Sequence, residues 1–234
     1  MRIAIISDIH SNNIALEAVL KDIYTKDVDS IVCTGDIVGY MPNPNEVIDL
    51  IRQHKILCIK GNHDLHTMKI ERLNEEQFQV LDNSVIQQSA SAIYTNYILE
   101  EKNRVYLANL PEKIEMSVNG FKVLFVHGSP RAIDEYMYED APYLNEIMEE
   151  LEYDVVIAGH THIPYYKQVR NKFVINAGSV GKPKHSNSNA TYVILSVEKG
   201  NINVVLREVP YDVKKMKEEI IKNLYIPDHT AQSI

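Results

Sequence analysis

At five points along this 234-residue chain, a short apolar run ends on side chains able to hold a metal ion. Ile3-Ala4-Ile5-Ile6 leads to Asp8 and His10, and Ile31-Val32 leads to Asp36. Ile56 to Ile59 leads to Asn62 and His63, Val123 to Val126 to His127, and Val155 to Ile157 to His160 and His162. These are oxygen and nitrogen donors without thiolate, a set that suits Mn²⁺, Fe, Co²⁺, Ni²⁺ or Zn²⁺ and disfavours the harder Mg²⁺. An isolated Asp-x-His or His-x-His says little, although residues two apart in an extended segment point the same way. Donors of this type at the ends of five apolar runs say more, because core histidines satisfied by hydrogen bonds have no reason to recur there. Two cations held about 3.5–4 Å apart can clamp an in-line phosphoryl displacement and lower the pKa of a bound water.

The apolar runs read as buried strands, and open α/β sheets place their sites just past the carboxyl ends of strands. Strands at about 3–6, 30–34 and 56–60 alternate with two helices. The first is capped by Asn12 or Asn13, with Ile14, Leu16, Val19, Leu20 and Ile23 at helical spacing. The second begins near Pro44, with Val47, Ile48 and Ile51 on one face. This β-α-β-α-β opening implies parallel strands. Residues 64–110 are polar and helix-forming, a helical cap insertion beside the site, where selectivity tends to reside. Strands follow at about 112–118, 121–126, 154–158, 164–169, 172–176, 190–197 and 201–208, with hairpin turns at Asn119-Gly120 and Lys199-Gly200. A helix from Val213 to Leu224 precedes a polar tail at 229–234. Residues 1–228 are read as one domain.

Composition narrows the classes. A 45% hydrophobic content with 24% charged residues is that of a globular chain with a sizeable core. A net charge of −8 without a basic stripe argues against long nucleic acids as partners. No stretch is long enough to span a bilayer and the chain opens directly on a strand, so no membrane partner and a cytoplasmic location are expected. Cys33 and Cys58 are expected to be reduced and buried. Cap helices or an edge strand offer surfaces for a homo-oligomer.

Asp8-x-His10, Gly35-Asp36, Gly61-Asn62-His63-Asp64, His127-Gly128 and Gly159-His160-Thr161-His162 together resemble the signature of the calcineurin-like metallophosphoesterases. Order and spacing match over residues 1 to about 210. Asn176-Ala177-Gly178-Ser179 resembles the segment that follows in the small bacterial and archaeal phosphodiesterase-like branch, with Ala177 where that branch often has proline. The resemblance implies a four-layer α-β-β-α sandwich of two mixed sheets with two divalent metal ions at its rim, Mn²⁺ foremost. Asp8, His10 and His162 would hold the first metal; Asn62, His127 and His160 would hold the second; Asp36 would bridge them. A metal-bridging hydroxide would then attack a small phosphodiester or phosphomonoester.

The same resemblance places His63 near the leaving-group oxygen as a catalytic acid, with Asp64 orienting its ring. The competing reading of His63 is a histidine that only positions phosphate. Arg131 has the planar fork that suits a substrate phosphate, though a surface arginine at a loop start would look the same. Tyr40, Tyr136, Tyr138 and Tyr143 fall in segments bordering the site, where they serve either as stacking faces or as packing. His54, His66 and His229 match no motif and are expected to face solvent; His185 falls in a polar loop at the mouth. A dinucleoside polyphosphate is the alternative substrate. The alternative class, a non-catalytic phosphate-binding or scaffold module on the same fold, is disfavoured because His10, His63 and His162 are all present.

Overall fold

Alternation along the strands decides which layer each residue enters. In β1 (Arg2–Ile6), Ala4 and Ile6 belong to one apolar cluster and Ile3 and Ile5 to another, the period of two that a pleated strand imposes. Ala4 and Ile6 meet Leu16, Val19 and Ile23 of α1 (Asn13–Ile23) and Val47, Ile48 and Ile51 of α2 (Pro44–Gln53). Ile3 and Ile5 face the other way, onto Val123 and Phe125 of β5 (Phe121–Phe125) and Val155 and Ile157 of β6 (Val155–Ala158). The opposite faces of those two strands, through Leu124, Val126, Val156 and Ala158, take Leu144 and Met148 of α8 (Leu144–Glu150). Helix, sheet, sheet and helix are therefore stacked around three apolar seams. Each fully buried Ile or Leu in them contributes about 1.5–3 kcal/mol relative to exposure.

The computed structural model describes residues 1–88, 90–185 and 187–234. In its first five-stranded sheet, β1, β2 (Ser30–Cys33) and β3 (Leu57–Cys58) run parallel. On the other flank β1 pairs antiparallel with β9 (Ala190–Glu198), and β9 with β10 (Asn201–Val209). The second five-stranded sheet has the order β4 (Ile114–Val118), β5, β6, β8 (Lys172–Asn176), β7 (Tyr165–Val169). Its centre, β5-β6-β8, is parallel and both edges are antiparallel hairpins. The parallel strands of both sheets carry the predicted donors at their carboxyl ends. Asn12 caps α1, its side-chain oxygen accepting the Ala15 N–H at 3.0 Å. β3 is shorter than the apolar run suggested because only Ile59 N–H continues onto β2, after which Lys60 turns to donate to Pro111.

The 64–110 segment is helical: α3 (Asn62–Lys69), α4 (Glu75–Gln79), α5 (Asn83–Gln88), α6 (Ala92–Ile98) and α7 (Glu101–Ala108). Its second half does more than cover the rim. Leu99, Leu107 and Leu110 are buried in the same cluster as α2, and Asn103 hydrogen-bonds Arg52 and Asn45. Helix α9 (Val213–Lys222) stops two residues before the expected end, at Asn223. The residues read as a polar tail form a short helix, α10 (His229–Gln232), and bury Ala231 and Ile234 against Met41, Met216 and Ile220. Alternating polar residues hid that apolar stripe. Cys33 and Cys58 are buried and free. His66 and His229 are exposed, whereas His54 is half-buried and within 2.6 Å of the Tyr24 hydroxyl.

Candidate metal centre

The rim is built by loops whose backbone is left-handed, not extended. Asp8, His10, Asp36, His160 and His162 have φ of 52°, 50°, 51°, 64° and 61°. Residues other than glycine seldom adopt that region, and clusters of them mark functional loops. Asp8 and His10, like His160 and His162, therefore converge through tight turns, and the expectation of an extended segment with side chains pointing one way is corrected. Cross-loop hydrogen bonds hold the turns: Asp8 N–H donates to Gly35 O at 3.0 Å, His10 N–H to Asp36 O at 3.0 Å, and Gly181 N–H to Asp8 O at 3.0 Å. Gly35 has φ +100°, and a Cβ there would lie 2.6 Å from Gly61 N. A Cβ on Gly61 would fall 2.1 Å from Asp36 Oδ1, so these two loops can approach only as glycines.

Two groups of donors result. Asp8, His10 and His162 form one; Asp36, His127 and His160 form the other; within each, the potential ligand atoms lie within 4.8 Å of one another and all six residues are buried. Each carboxylate is half tied. Asp8 Oδ2 accepts from Ser7 Oγ at 2.5 Å and from His160 N–H at 2.9 Å, while Oδ1 has no hydrogen-bond partner. Asp36 Oδ1 accepts from His63 N–H at 2.8 Å, while Oδ2 has none. A buried carboxylate oxygen without a donor is costly unless a cation meets it. Asp36 Oδ2 lies 3.3 Å from His127 Nε2 in one group and 3.8 Å from His10 Nε2 in the other, so it stands between them.

The imidazoles are oriented in the same sense. His10 Nδ1, His127 Nδ1 and His162 Nδ1 meet the main-chain carbonyls of Val38, Thr34 and Lys182 at 3.2, 2.8 and 2.5 Å. A carbonyl can only accept, so each Nδ1 carries a proton and each Nε2 is the nitrogen turned toward the centre. His160 is turned round: its Nε2 donates to Asp134 O at 3.1 Å, leaving Nδ1 inward. His10 Nε2 and His162 Nε2 face each other at 3.1 Å, with Asp8 Oδ1 3.1 Å from the latter. Asn62 Oδ1 lies 3.0 Å from His127 Nε2. Lone pairs opposed at such distances repel unless positive charge sits between them. The donor set thus fits divalent cations of the transition series.

The field at the centre is that of buried anions. Burial works to raise the Asp36 pKa, but His127 and the other imidazoles around it outweigh this and hold it far below the usual carboxylate range. Burial likewise opposes ionisation of Asp8, yet His162 holds its pKa at about 2. Burial would lower His127, but Asp36 outweighs it and lifts its pKa to about 9. His10 and His160 are pushed down, by burial first. Carboxylates kept ionised in this way, and able to raise a neighbouring imidazole, favour a metal cation between them for the same reason.

His63, at the first turn of α3, is half-buried beside the first group, its ring edge-on to His10 with centroids 5.0 Å apart. Burial lowers its pKa while Asp36 pulls the other way. The role expected for Asp64 is corrected. Its carboxylate accepts from Ile37, Val38 and Gly61 N–H at 3.2, 3.0 and 2.9 Å, and no hydrogen bond to the His63 ring accompanies them among the described residues. Burial and Asp36 push its pKa up to about 7 while those donors pull it down. Asp64 positions the site by stitching the loop after β2 to the loop after β3.

Tyr40 reaches the site: its ring lies 4.9 Å from His10 and 4.7 Å from His63. Arg131 is held by its own loop. Its guanidinium is paired with Glu135 at 2.5 Å and lies over the Tyr143 ring, so a substrate-phosphate role would require that pair to open. Tyr136 stacks on His160 at 4.1 Å, and Tyr138 stacks on Tyr136 at 5.4 Å. Sequence reasoning passed over Lys182 and Lys184, whose ammonium groups lie 4.8 Å from the Tyr40 centroid and 5.8 Å from that of Tyr136. The signal available was their place directly after the Asn176–Gly181 loop. His185, in the same loop, is half-buried.

Residues 1–200 match the calcineurin-like phosphoesterase superfamily domain. An uncharacterised protein of Methanocaldococcus jannaschii is 37% identical over 238 aligned positions, covering 94% of this chain and 92% of its own length. Phosphodiesterase YfcE of Escherichia coli K12 is 25% identical over 205 positions, 83% of this chain and 87% of the relative. The crystal structure of a metallophosphoesterase from Sphaerobacter thermophilus superposes with a TM-score of 0.83 at 29% identity, covering 100% of this chain and 97% of the other.

Proposed function

This chain belongs to the calcineurin-like phosphoesterase superfamily, and on that premise we propose that it hydrolyses small phosphodiesters or phosphomonoesters at a dinuclear divalent-metal centre. The observation that carries the reading is the pair of half-tied carboxylates: Asp8 Oδ1 and Asp36 Oδ2 are buried, unpartnered and aimed among inward-facing imidazole nitrogens. Asp8, His10 and His162 would hold one cation and Asn62, His127 and His160 the other, with Asp36 shared. When bound, such a pair supplies Lewis-acid charge for phosphoryl oxygens and acidifies a water near neutral pH.

The chain's own residues account for the rest of the chemistry. Main-chain carbonyls fix which ring nitrogen each of the four ligand histidines turns inward; His127, whose pKa Asp36 lifts to about 9, gives up its inward proton when a cation binds. His63 stands beside the first group with its ring against Tyr40, and donates a proton to the departing oxygen. Tyr40 and Tyr136 border the two groups with faces on which an aryl or base leaving group can lie. The name of the Escherichia coli relative, phosphodiesterase YfcE, favours diesters as the first substrates to try.

Rates with an aryl phosphodiester and an aryl phosphomonoester over a series of Mn²⁺, Ni²⁺, Co²⁺, Zn²⁺ and Fe²⁺ test the reading. Metal-dependent hydrolysis, strongest with Mn²⁺ and abolished by chelation, is expected. Turnover with none of these metals overturns the hydrolase.

A further inference from the structure

Lys182 and Lys184 are set apart from many lysines of this chain. Lys26, Lys102, Lys113, Lys122 and Lys214 each lie within 4.0 Å of a carboxylate. Among the described residues Lys182 and Lys184 have no such ion pair, and each ammonium instead lies over a tyrosine ring that itself abuts a candidate ligand. Tyr40, under Lys182, touches His10 and His63; Tyr136, under Lys184, stacks on His160. The two ammonium groups therefore border the two halves of the centre.

Their placement is fixed by the site. His162 Nδ1 donates to Lys182 O at 2.5 Å, and Lys184 N–H donates back to His162 O at 3.3 Å. Lys182 N–H donates to Ser179 Oγ at 2.8 Å, which in turn donates to Asp8 O at 2.7 Å. Lys182 is half-buried, in a chain of net charge −8. Two ammonium groups two residues apart in the chain, neither in an ion pair among the described residues and one of them half-buried, are unfavourable unless an anion answers them. The metals would take the scissile phosphate; the lysines lie one aromatic ring further out.

We infer that Lys182 and Lys184 form a second anion subsite at the mouth of the metal centre, fitted to a further phosphate of the substrate, so that a di- or polyphosphate ester is preferred over an isolated phosphate. The inference rests on the phosphoesterase reading. An ammonium acts on phosphate as a point charge, and a charge-assisted hydrogen bond is worth about a tenfold or greater gain in affinity.

The test is binding of orthophosphate and of methylene diphosphonate, which resists hydrolysis, to the metal-loaded protein by calorimetry with free metal held constant. The wild type should bind the diphosphonate at least about tenfold more tightly than orthophosphate. K182Q/K184Q should lose most of that preference, and K182R/K184R should keep it. Should the double glutamine variant not fold, the exposed Lys184→Gln change alone should reduce the preference at least about threefold. No preference in the wild type, or an undiminished one in the glutamine variants, overturns the subsite. Because calorimetry needs no turnover, a protein that shows the preference but hydrolyses no ester would sink the phosphoesterase reading and leave the subsite standing.

Discussion

One oxygen of Asp36 accepts the main-chain N–H of His63 at 2.8 Å, while the other lies 3.3 Å from His127 Nε2 and 3.8 Å from His10 Nε2. A single carboxylate thus sets the start of the helix that carries the proposed acid and stands between both groups of metal donors. Its two functions are separable. Asp36→Asn keeps a carbonyl oxygen for His63 N–H but removes the shared negative charge. The variant should fold, but with chelator present it should be less stable than the wild type at pH 7, since the imidazoles that hold the Asp36 pKa low lose their counter-charge. Its metal content should fall to one ion per chain or fewer, with kcat reduced at least about 100-fold. Elemental analysis checks this, and retention of two ions would refute the shared role.

His63→Ala leaves every proposed ligand in place. Metal content should be unchanged while kcat drops by about 10²–10⁴-fold, the span of general acid catalysis. The loss should be steeper for leaving groups of high pKa, which need the proton most. Rates across a series of aryl esters test it, and equal losses along the series would reduce His63 to a phosphate-positioning group.

Asp64→Asn replaces a carboxylate that takes three main-chain N–H groups with an amide that has one acceptor oxygen. At least one buried N–H loses its partner, at a cost of about 1–3 kcal/mol. Urea unfolding of the chelated protein should show that loss. Unchanged stability with lowered kcat would instead return Asp64 to orienting the His63 ring.

Asp22 ties α1 to β9 and β10, accepting from the Tyr192 hydroxyl at 2.6 Å and lying 3.3 Å from Arg207. Burial opposes its charge, but Tyr192 and the neighbouring Lys26 outweigh burial and lower its pKa below the usual 3.8. A carboxyl depressed on folding stabilises the protein above its unfolded pKa, and the contribution fades as pH falls through the folded value. Asp22→Asn should therefore cost on the order of 1 kcal/mol at pH 7 and progressively less below about pH 4. Unfolding free energies across that range decide it; a pH-independent difference would assign the loss to packing.

Much of this fold is written in the apolar runs. Ile3 to Ile6, Val123 to Val126 and Val155 to Ile157 are long enough, and buried on both faces, to mark parallel strands whose ends carry the donors. The tail was not legible because Ile226, Ala231 and Ile234 are separated by polar residues and find an apolar seam only through Met41 and α9, distant in sequence. Within the site, residue types revealed which side chains converge, but not how. The left-handed turns at Asp8, His10, His160 and His162 are imposed by hydrogen bonds between loops, which local spacing does not encode. Asp64 is similar: adjacency to His63 in the chain suggests a partner, whereas the first turn of α3 directs the carboxylate at the main chain of two loops. Arg131 is paired with a carboxylate of its own loop, Glu135, a contact that its position in the sequence does not announce.

The paired-cation centre is tested most directly by anomalous scattering from crystals of the protein grown with Mn²⁺. Two manganese peaks per chain are predicted, one among Asp8, His10 and His162 and one among Asn62, His127 and His160, with Asp36 in contact with both. A single peak, or none at either group under saturating metal, would contradict it.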